Sequence, residues 1–236
     1  MDIINQPNLG LTLTRGVIIL LTLFLTWVTY QSNSLLQKFQ PDFNLLLSPP
    51  ELVVRIILVG GCLLLAWLMG LPAEQLGLAI ADPLGHIGVG LVAGIVILAV
   101  VNLLTFGAIR YFGRDIYSPW VIRNILPRRP LEWVLVPLAL APAVAMEELL
   151  FRTLWLGGFS DIIPLPVLIL GTSVVFGIMH LPQGFLGVIV AGGVNVLLSL
   201  LFLETGGILA PLVAHYVINL LQVLLAHYQR DWLENY

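Results

Sequence analysis

The sequence predicts an all-α protein, a polytopic transmembrane helical bundle of about seven to eight crossings. Hydrophobic residues make up 59% of the 236 positions, and mean hydropathy is +1.01. Charged residues make up only 10% of the chain, against roughly 25% in a soluble domain. The apolar residues also fall into uncharged runs long enough to cross a bilayer, which takes about 20 residues as a helix. With 10 Lys and Arg against 13 Asp and Glu, the chain has no broad basic face, so nucleic acid is excluded as a general partner. The expected surroundings are membrane lipids. Cys62 is the only cysteine; it cannot form an internal disulfide and reads as a small packing residue.

The crossings follow from the spacing of charges. Between Arg15 and Lys38 lie 22 uncharged residues, too many for a typical signal-peptide apolar region. Between Arg55 and Glu74 lie 18, and between Asp82 and Arg110 lie 27. The segment from Pro137 to Gly157 has spanning length but is interrupted by Glu147, Glu148 and Arg152. Ile162–Leu203 offers 42 uncharged residues, enough for a hairpin of two helices that breaks at Leu181-Pro182-Gln183-Gly184. Thr205–Gln229, with 25, supplies the last crossing. This divides the chain into an N-terminal membrane region with a basic loop, residues 1–130, and a helical bundle, residues 131–236, integrated in one membrane domain.

Five of the ten basic residues, Arg110, Arg114, Arg123, Arg128 and Arg129, crowd into one loop. The positive-inside rule makes that loop cytoplasmic. Lys38, Arg55 and Arg230 then also fall inside, and Arg15 alone disagrees. The expectation is an integral membrane protein, of the plasma membrane or another cellular membrane, with its C-terminus in the cytoplasm. Trp120 and Trp133, with Pro127-Arg128-Arg129-Pro130 between them, suit a segment lying at the interface.

Function is sought where ionisable groups interrupt apolar helices, because such groups cost several kcal/mol unless paired. Arg152 stands four residues after Glu148, the spacing and order of an ion pair on one helix face. Glu147 diverges from Glu148 by about 100° and is left without a counter-charge, a candidate general base. His180 stands four residues after Phe176, and Asn219 four after His215, so each pair shares a stripe of its helix. If the interrupted helix starts at Pro137, Glu147 lies about 15 Å deep, close to the depth of His215 counted from the other side; His180 lies a few ångströms nearer the cytoplasm. A start at Pro130 would separate these groups. His86, expected in a loop, and His227 beside Tyr228 read as solvated, and Asn102 and Asn195 as interhelical contacts.

The three motifs, Glu147-Glu148-Leu149-Leu150-Phe151-Arg152, Phe176 to His180 and His215 to Asn219, occur in this order on successive helices between residues 137 and 220. Together they resemble the CPBP intramembrane proteases, the CAAX prenyl endopeptidase and bacteriocin-processing family, also called Abi. The resemblance implies a membrane-buried peptidase site in which Glu147 activates water and His180 holds it; the family has been described as metalloproteases, and a glutamate-dependent site without a cofactor is the reading preferred here. The resemblance also implies that His215 and Asn219 stabilise the oxyanion and that Glu148 with Arg152 supports them. The substrate so implied is a membrane-associated peptide or lipidated protein, of the prenylated CAAX type in the family's best-known members.

Three other readings remain open on the residues themselves. Glu147, His180 and His215 would also make a three-ligand zinc site. The polar residues would serve as interhelical glue in a non-catalytic immunity or scaffold protein. A transporter with an acid-histidine relay would call for paired broken helices in inverted halves, and only the break at Pro182 is seen.

Overall fold

The computed structural model describes residues 9–36, 38 and 41–229 and is all-helical there, with no strand among the described residues. Eight helices follow one another: α1 (Leu9–Leu36), α2 (Pro49–Met69), α3 (Pro83–Phe112), the short α4 (Trp120–Ile125), α5 (Glu132–Glu148), α6 (Leu165–Met179), α7 (Gly184–Thr205) and α8 (Leu209–Tyr228). α5 runs on without a break into a π-helical stretch, Leu149–Gly157. Among the described residues six helices are long and apolar enough to cross a membrane; α6, at 15 residues, is a shorter apolar one. Each apolar run in the sequence thus carries one long helix, and Ile162–Leu203 carries the shorter α6 as well. Arg230 lies outside the described residues.

Large apolar side chains face outward, among them Leu20, Phe24 and Trp27 of α1 and Leu103, Leu104 and Phe106 of α3. Water would penalise such a surface by about 25 cal/mol per Å², and lipid does not. Inside, the pattern is reversed. Glu148, Arg152, Thr153, Asn195 and Ser199 are fully buried.

Local chemistry sets the helix ends. Prolines occupy the first turns of α2 and α3, where their missing N–H is no loss, and the Asp82 carboxylate accepts the Gly85 N–H at 3.0 Å. α2 stops at Gly70, whose φ of 63° is in the left-handed region. Between α6 and α7 the chain makes a 3₁₀ turn over Leu181–Gln183, at the predicted break. Arg15, the exception to the charge rule, donates to the Gly158 carbonyl at 2.8 Å and forms an ion pair with Asp161. Its charge is therefore balanced by a contact across the bundle.

Two expectations are corrected. α5 begins at Glu132, with Pro137 and Pro142 both inside it, rather than at Pro137. Proline inside a membrane helix is tolerated where the surroundings satisfy the disturbed backbone; separately, the Tyr216 hydroxyl of α8 donates to the Pro137 carbonyl at 3.1 Å, which fastens α8 to α5 at this point. Trp133 accordingly belongs to the first turn of α5, leaving α4 as the short helix between α3 and α5. His86 sits in the first turn of α3, half-buried, with its ring against Gly207, and not in a solvated loop. His227 is also half-buried, edge-on to Trp133 at 4.7 Å between ring centres.

Candidate active site

The site forms where α5, α6 and α8 meet, with α3 and α7 completing its walls. Small residues permit the close approaches. A Cβ on Gly90 would lie 2.6 Å from the Ala210 carbonyl oxygen, and one on Gly94 would lie 2.8 Å from that of Ala214. These two glycines let α3 rest directly on the α8 backbone beside His215. A Cβ on Gly177 would lie 2.6 Å from the Val188 carbonyl oxygen, so the same device brings α6 against α7 just before His180.

Glu148 is the hub. It ends the α-helical part of α5, is fully buried, and receives two partners on one oxygen. Arg152 Nη1 donates to Oε1 at 3.1 Å, and His215 Nδ1 lies 2.7 Å from the same atom. A carboxylate oxygen only accepts, so Nδ1 carries the hydrogen and the second nitrogen, Nε2, is directed by this bond. That Nε2 lies 3.5 Å from Glu147 Oε2. Adjacent glutamates thus reach opposite nitrogens of one imidazole, Glu148 from the protein interior and Glu147, at 23% exposure, from the cavity side. Glu147 was expected to have no charged partner, and the structure gives it His215.

Arg152 extends the network, its Nη2 donating to the Asn195 carbonyl at 3.2 Å. The Asn195 side chain donates in turn to Ser173 Oγ at 3.0 Å. Asn195 therefore ties α7 to α6 and to the π-helical stretch, the interhelical role its sequence setting suggested. Its second task, giving its main-chain oxygen to a buried arginine, has no sequence signal. Phe176 organises the imidazoles. Its ring stacks on His180 at 4.5 Å between centres and meets His215 edge-on at 6.0 Å, while Phe151 packs against it at 5.1 Å. His180 Nδ1 lies 2.8 Å from the Phe176 carbonyl, so it donates there and Nε2 is left as an acceptor in the neutral ring.

Glu147, His180, His215 and Asn219 all line one cavity of about 280 Å³. Glu148 and Arg152 stand behind it. Starting α5 near residue 130 was expected to pull these groups apart, yet Glu147 meets His215. Counting residues from a helix start does not give depth, because helix ends need not coincide with the membrane surface. Among the described residues no three His, Cys, Asp or Glu side chains converge to hold a metal ion. His215 gives Nδ1 to Glu148 and His180 gives Nδ1 to a backbone carbonyl, which leaves the Nε2 atom of each ring for other partners.

The comparison with protein families falls on this part of the chain. Residues 129–221, which include every residue of the cluster, match the model described as Rce1-like, type II CAAX prenyl endopeptidase. Residues 129–221 are thus similar to an Rce1-like domain. The match stops short of α1 to α4, less than half of the chain being covered. No curated protein and no solved structure matches the chain. The likeness to a CAAX prenyl endopeptidase belongs to this stretch, in a chain whose described residues include six helices long and apolar enough to cross a membrane. The polar cluster lies wholly within it, spread over α5, its π-helical extension, α6, α7 and α8.

Proposed function

We propose that this chain is an intramembrane endopeptidase that hydrolyses a peptide bond of a membrane-associated substrate, prenylated or otherwise apolar, with water activated by Glu147 and without a cofactor. One observation carries the reading: Glu147, His180, His215 and Asn219 share one cavity, and Glu147 is within reach of His215. In this mechanism the Glu147 carboxylate takes a proton from water while the free His180 Nε2 accepts the other hydrogen and orients it. The hydroxide adds to the carbonyl carbon. The oxyanion is held by His215 Nε2–H and the Asn219 amide, the C–N bond breaks, and Glu147 returns its proton to the leaving amine.

The charges of the cluster support that division of labour. His215 Nδ1–H is committed to Glu148, so His215 donates to an oxyanion through Nε2 only when both nitrogens carry hydrogen. In that form Glu147 and Glu148 are balanced by Arg152 and His215, and the cluster is neutral. When Glu147 takes the proton from water, the oxyanion inherits its negative charge and the balance holds. Arg152 keeps Glu148 ionised and in place, and Glu148 fixes the imidazole.

The sidedness follows from charge. Arg110, Arg114, Arg123, Arg128 and Arg129 put the loop around α4 in the cytoplasm, and the substrate enters from that side. The test is purified full-length protein in lipid nanodiscs with a membrane-anchored apolar peptide. Cleavage at one bond, undiminished by EDTA, is expected, with Asn219→Ala lowering kcat about 100-fold and leaving KM in place. No cleavage of such peptides, or loss of cleavage on chelation, would overturn the proposal.

A further inference from the structure

Polar atoms that find no protein partner gather at one place in this fold. Among the described residues, seven buried side-chain nitrogen or oxygen atoms make no hydrogen bond with protein. Five of the seven belong to Glu148, Arg152, Thr153, Asn195 and Ser199, all wholly buried. A buried polar group left unbonded is costly, which is why nearly all are paired, with protein or with ordered water.

Arg152 brings four of the five together, and Thr153 is its neighbour in the chain. Its Nη1 donates to Glu148 Oε1 at 3.1 Å and its Nη2 to the Asn195 carbonyl at 3.2 Å. In an α-helix that carbonyl also accepts the N–H of the residue four further on, here Ser199 of α7. The guanidinium therefore abuts the turn that carries the Asn195 and Ser199 side chains. Glu148 Oε2 is the second oxygen of a carboxylate already bonded there, and Arg152 Nε the third nitrogen of the same guanidinium. Yet Glu148 Oε2, Arg152 Nε, Asn195 Oδ1 and Ser199 Oγ make no hydrogen bond with one another. Polar groups held side by side but out of direct bonding geometry are what a bridging water satisfies.

The chemistry of the four atoms selects the occupant. Arg152 Nε only donates, Glu148 Oε2 and Asn195 Oδ1 only accept, and the Ser199 hydroxyl does either. A water molecule gives its two hydrogens to the two acceptors and takes those of Nε and the hydroxyl, which accounts for the whole set. A cation would suit the oxygens alone, and the guanidinium charge would repel it. Each atom is closed to solvent, and neither Asn195 nor Ser199 lines the catalytic cavity. The site is enclosed behind that cavity and is no branch of it.

We propose that Arg152 Nε, Glu148 Oε2, Asn195 Oδ1 and Ser199 Oγ bind one structural water, and that Asn195 and Ser199 act through it as positioning residues for Glu148 and His215. The end of a glutamate side chain turns over a broad range of angles, and Glu148 offers only Oε1 to both Arg152 and His215. Holding Oε2 as well fixes the carboxylate plane, which directs His215 Nδ1–H and so aims Nε2 into the cavity. The hydration stands independently of any reaction; the positioning role rests on the endopeptidase reading.

Ser199→Ala removes one hydroxyl and nothing else. Were that hydroxyl dry and unbonded, alanine would stabilise the protein, since it drops a buried polar group and is the better helix former. Bound to water, the hydroxyl is missed: the unfolding equilibrium constant of the full-length protein in mixed micelles should rise about fivefold, the worth of one net hydrogen bond. An unchanged or smaller constant would overturn the proposal. A density map of the unmodified protein in phosphatidylcholine nanodiscs, fine enough to show ordered water, should place a peak within bonding distance of Arg152 Nε and Ser199 Oγ; direct contact between those atoms, or no peak, would overturn it without any variant. Unfolding should be the same in sodium, potassium and choline chloride, whereas dependence on the cation would put an ion in place of the water. On a membrane-anchored peptide, Ser199→Ala should lower kcat about tenfold and leave KM in place; an unchanged kcat would remove the positioning role. The two readings fail separately: an ordered water with no cleavage of any peptide leaves this site standing and removes the peptidase, and cleavage by a protein whose Arg152 Nε is dry does the reverse.

Discussion

Replacing Arg152 with Met removes the cation from a carboxylate that has no other route to water. Glu148 and Arg152 are both fully buried, their 3.1 Å contact is direct, and the arginine also satisfies the Asn195 carbonyl. If these residues were only interhelical glue, the loss would resemble a typical membrane hydrogen bond, about 0.6 kcal/mol. Removing one partner of a buried ion pair costs about 3–5 kcal/mol instead, because the other charge is stranded. His215, at 2.7 Å from Glu148, relieves part of this when it carries a second hydrogen, which favours the lower half of that range. Reversible unfolding in mixed micelles, run as a double-mutant cycle, measures it. Arg152→Met is expected to cost about 3 kcal/mol, and adding Glu148→Gln to restore most of that, since a neutral amide needs no counter-charge. A single-variant cost below about 1 kcal/mol, or a double variant worse than the sum of the singles, would refute the stranded-charge argument.

Two further outcomes follow from the packing and from the surface. Gly94→Leu places carbon against the Ala214 carbonyl oxygen, 2.8 Å from the nearest Cβ position, and a backbone atom there cannot move aside; unfolding should show a loss of about 1–3 kcal/mol, with peptidase activity falling because Ala214 adjoins His215. The hydrogen bond from Arg15 holds the Asp161 carboxyl below its ordinary value, so its contribution is present above about pH 3.9 and is lost as pH falls through the lower folded-state value. Melting of wild type and Asp161→Asn compared across acid pH should show a gap that closes on acidification and amounts at most to about 1 kcal/mol, the pair being partly exposed.

Much of this architecture is legible because lipid imposes a simple rule. A run of twenty-odd residues without charge has few alternatives to a helix, and each such run carries one. The break at Leu181-Pro182-Gln183-Gly184 was also legible, since proline followed by a glycine at φ 81° leaves little choice. Pro137 misled for the converse reason: in water a proline marks a helix start, but α5 continues through it with Tyr216 bonded to its carbonyl. Within the site, the i, i+4 relation of Glu148 and Arg152 is local and could be read from spacing. The contact of His215 with both glutamates spans 67 positions to Glu148 and depends on how α8 lies on α5, which no one-dimensional pattern encodes. The π-helical turn after Glu148 has no sequence mark either, although it shapes the wall that holds Arg152.

The central claim is that Glu147 activates the water. Its most direct test is the single-turnover cleavage rate of Glu147→Gln, measured beside wild type on one membrane-anchored peptide, with the unfolding midpoint recorded for each. The account predicts a fall of about 100-fold to 10,000-fold in rate with the midpoint unchanged, because Glu147 is partly exposed to the cavity and is not the buried hub. A folded Glu147→Gln protein that cleaves within a few-fold of wild type would contradict it.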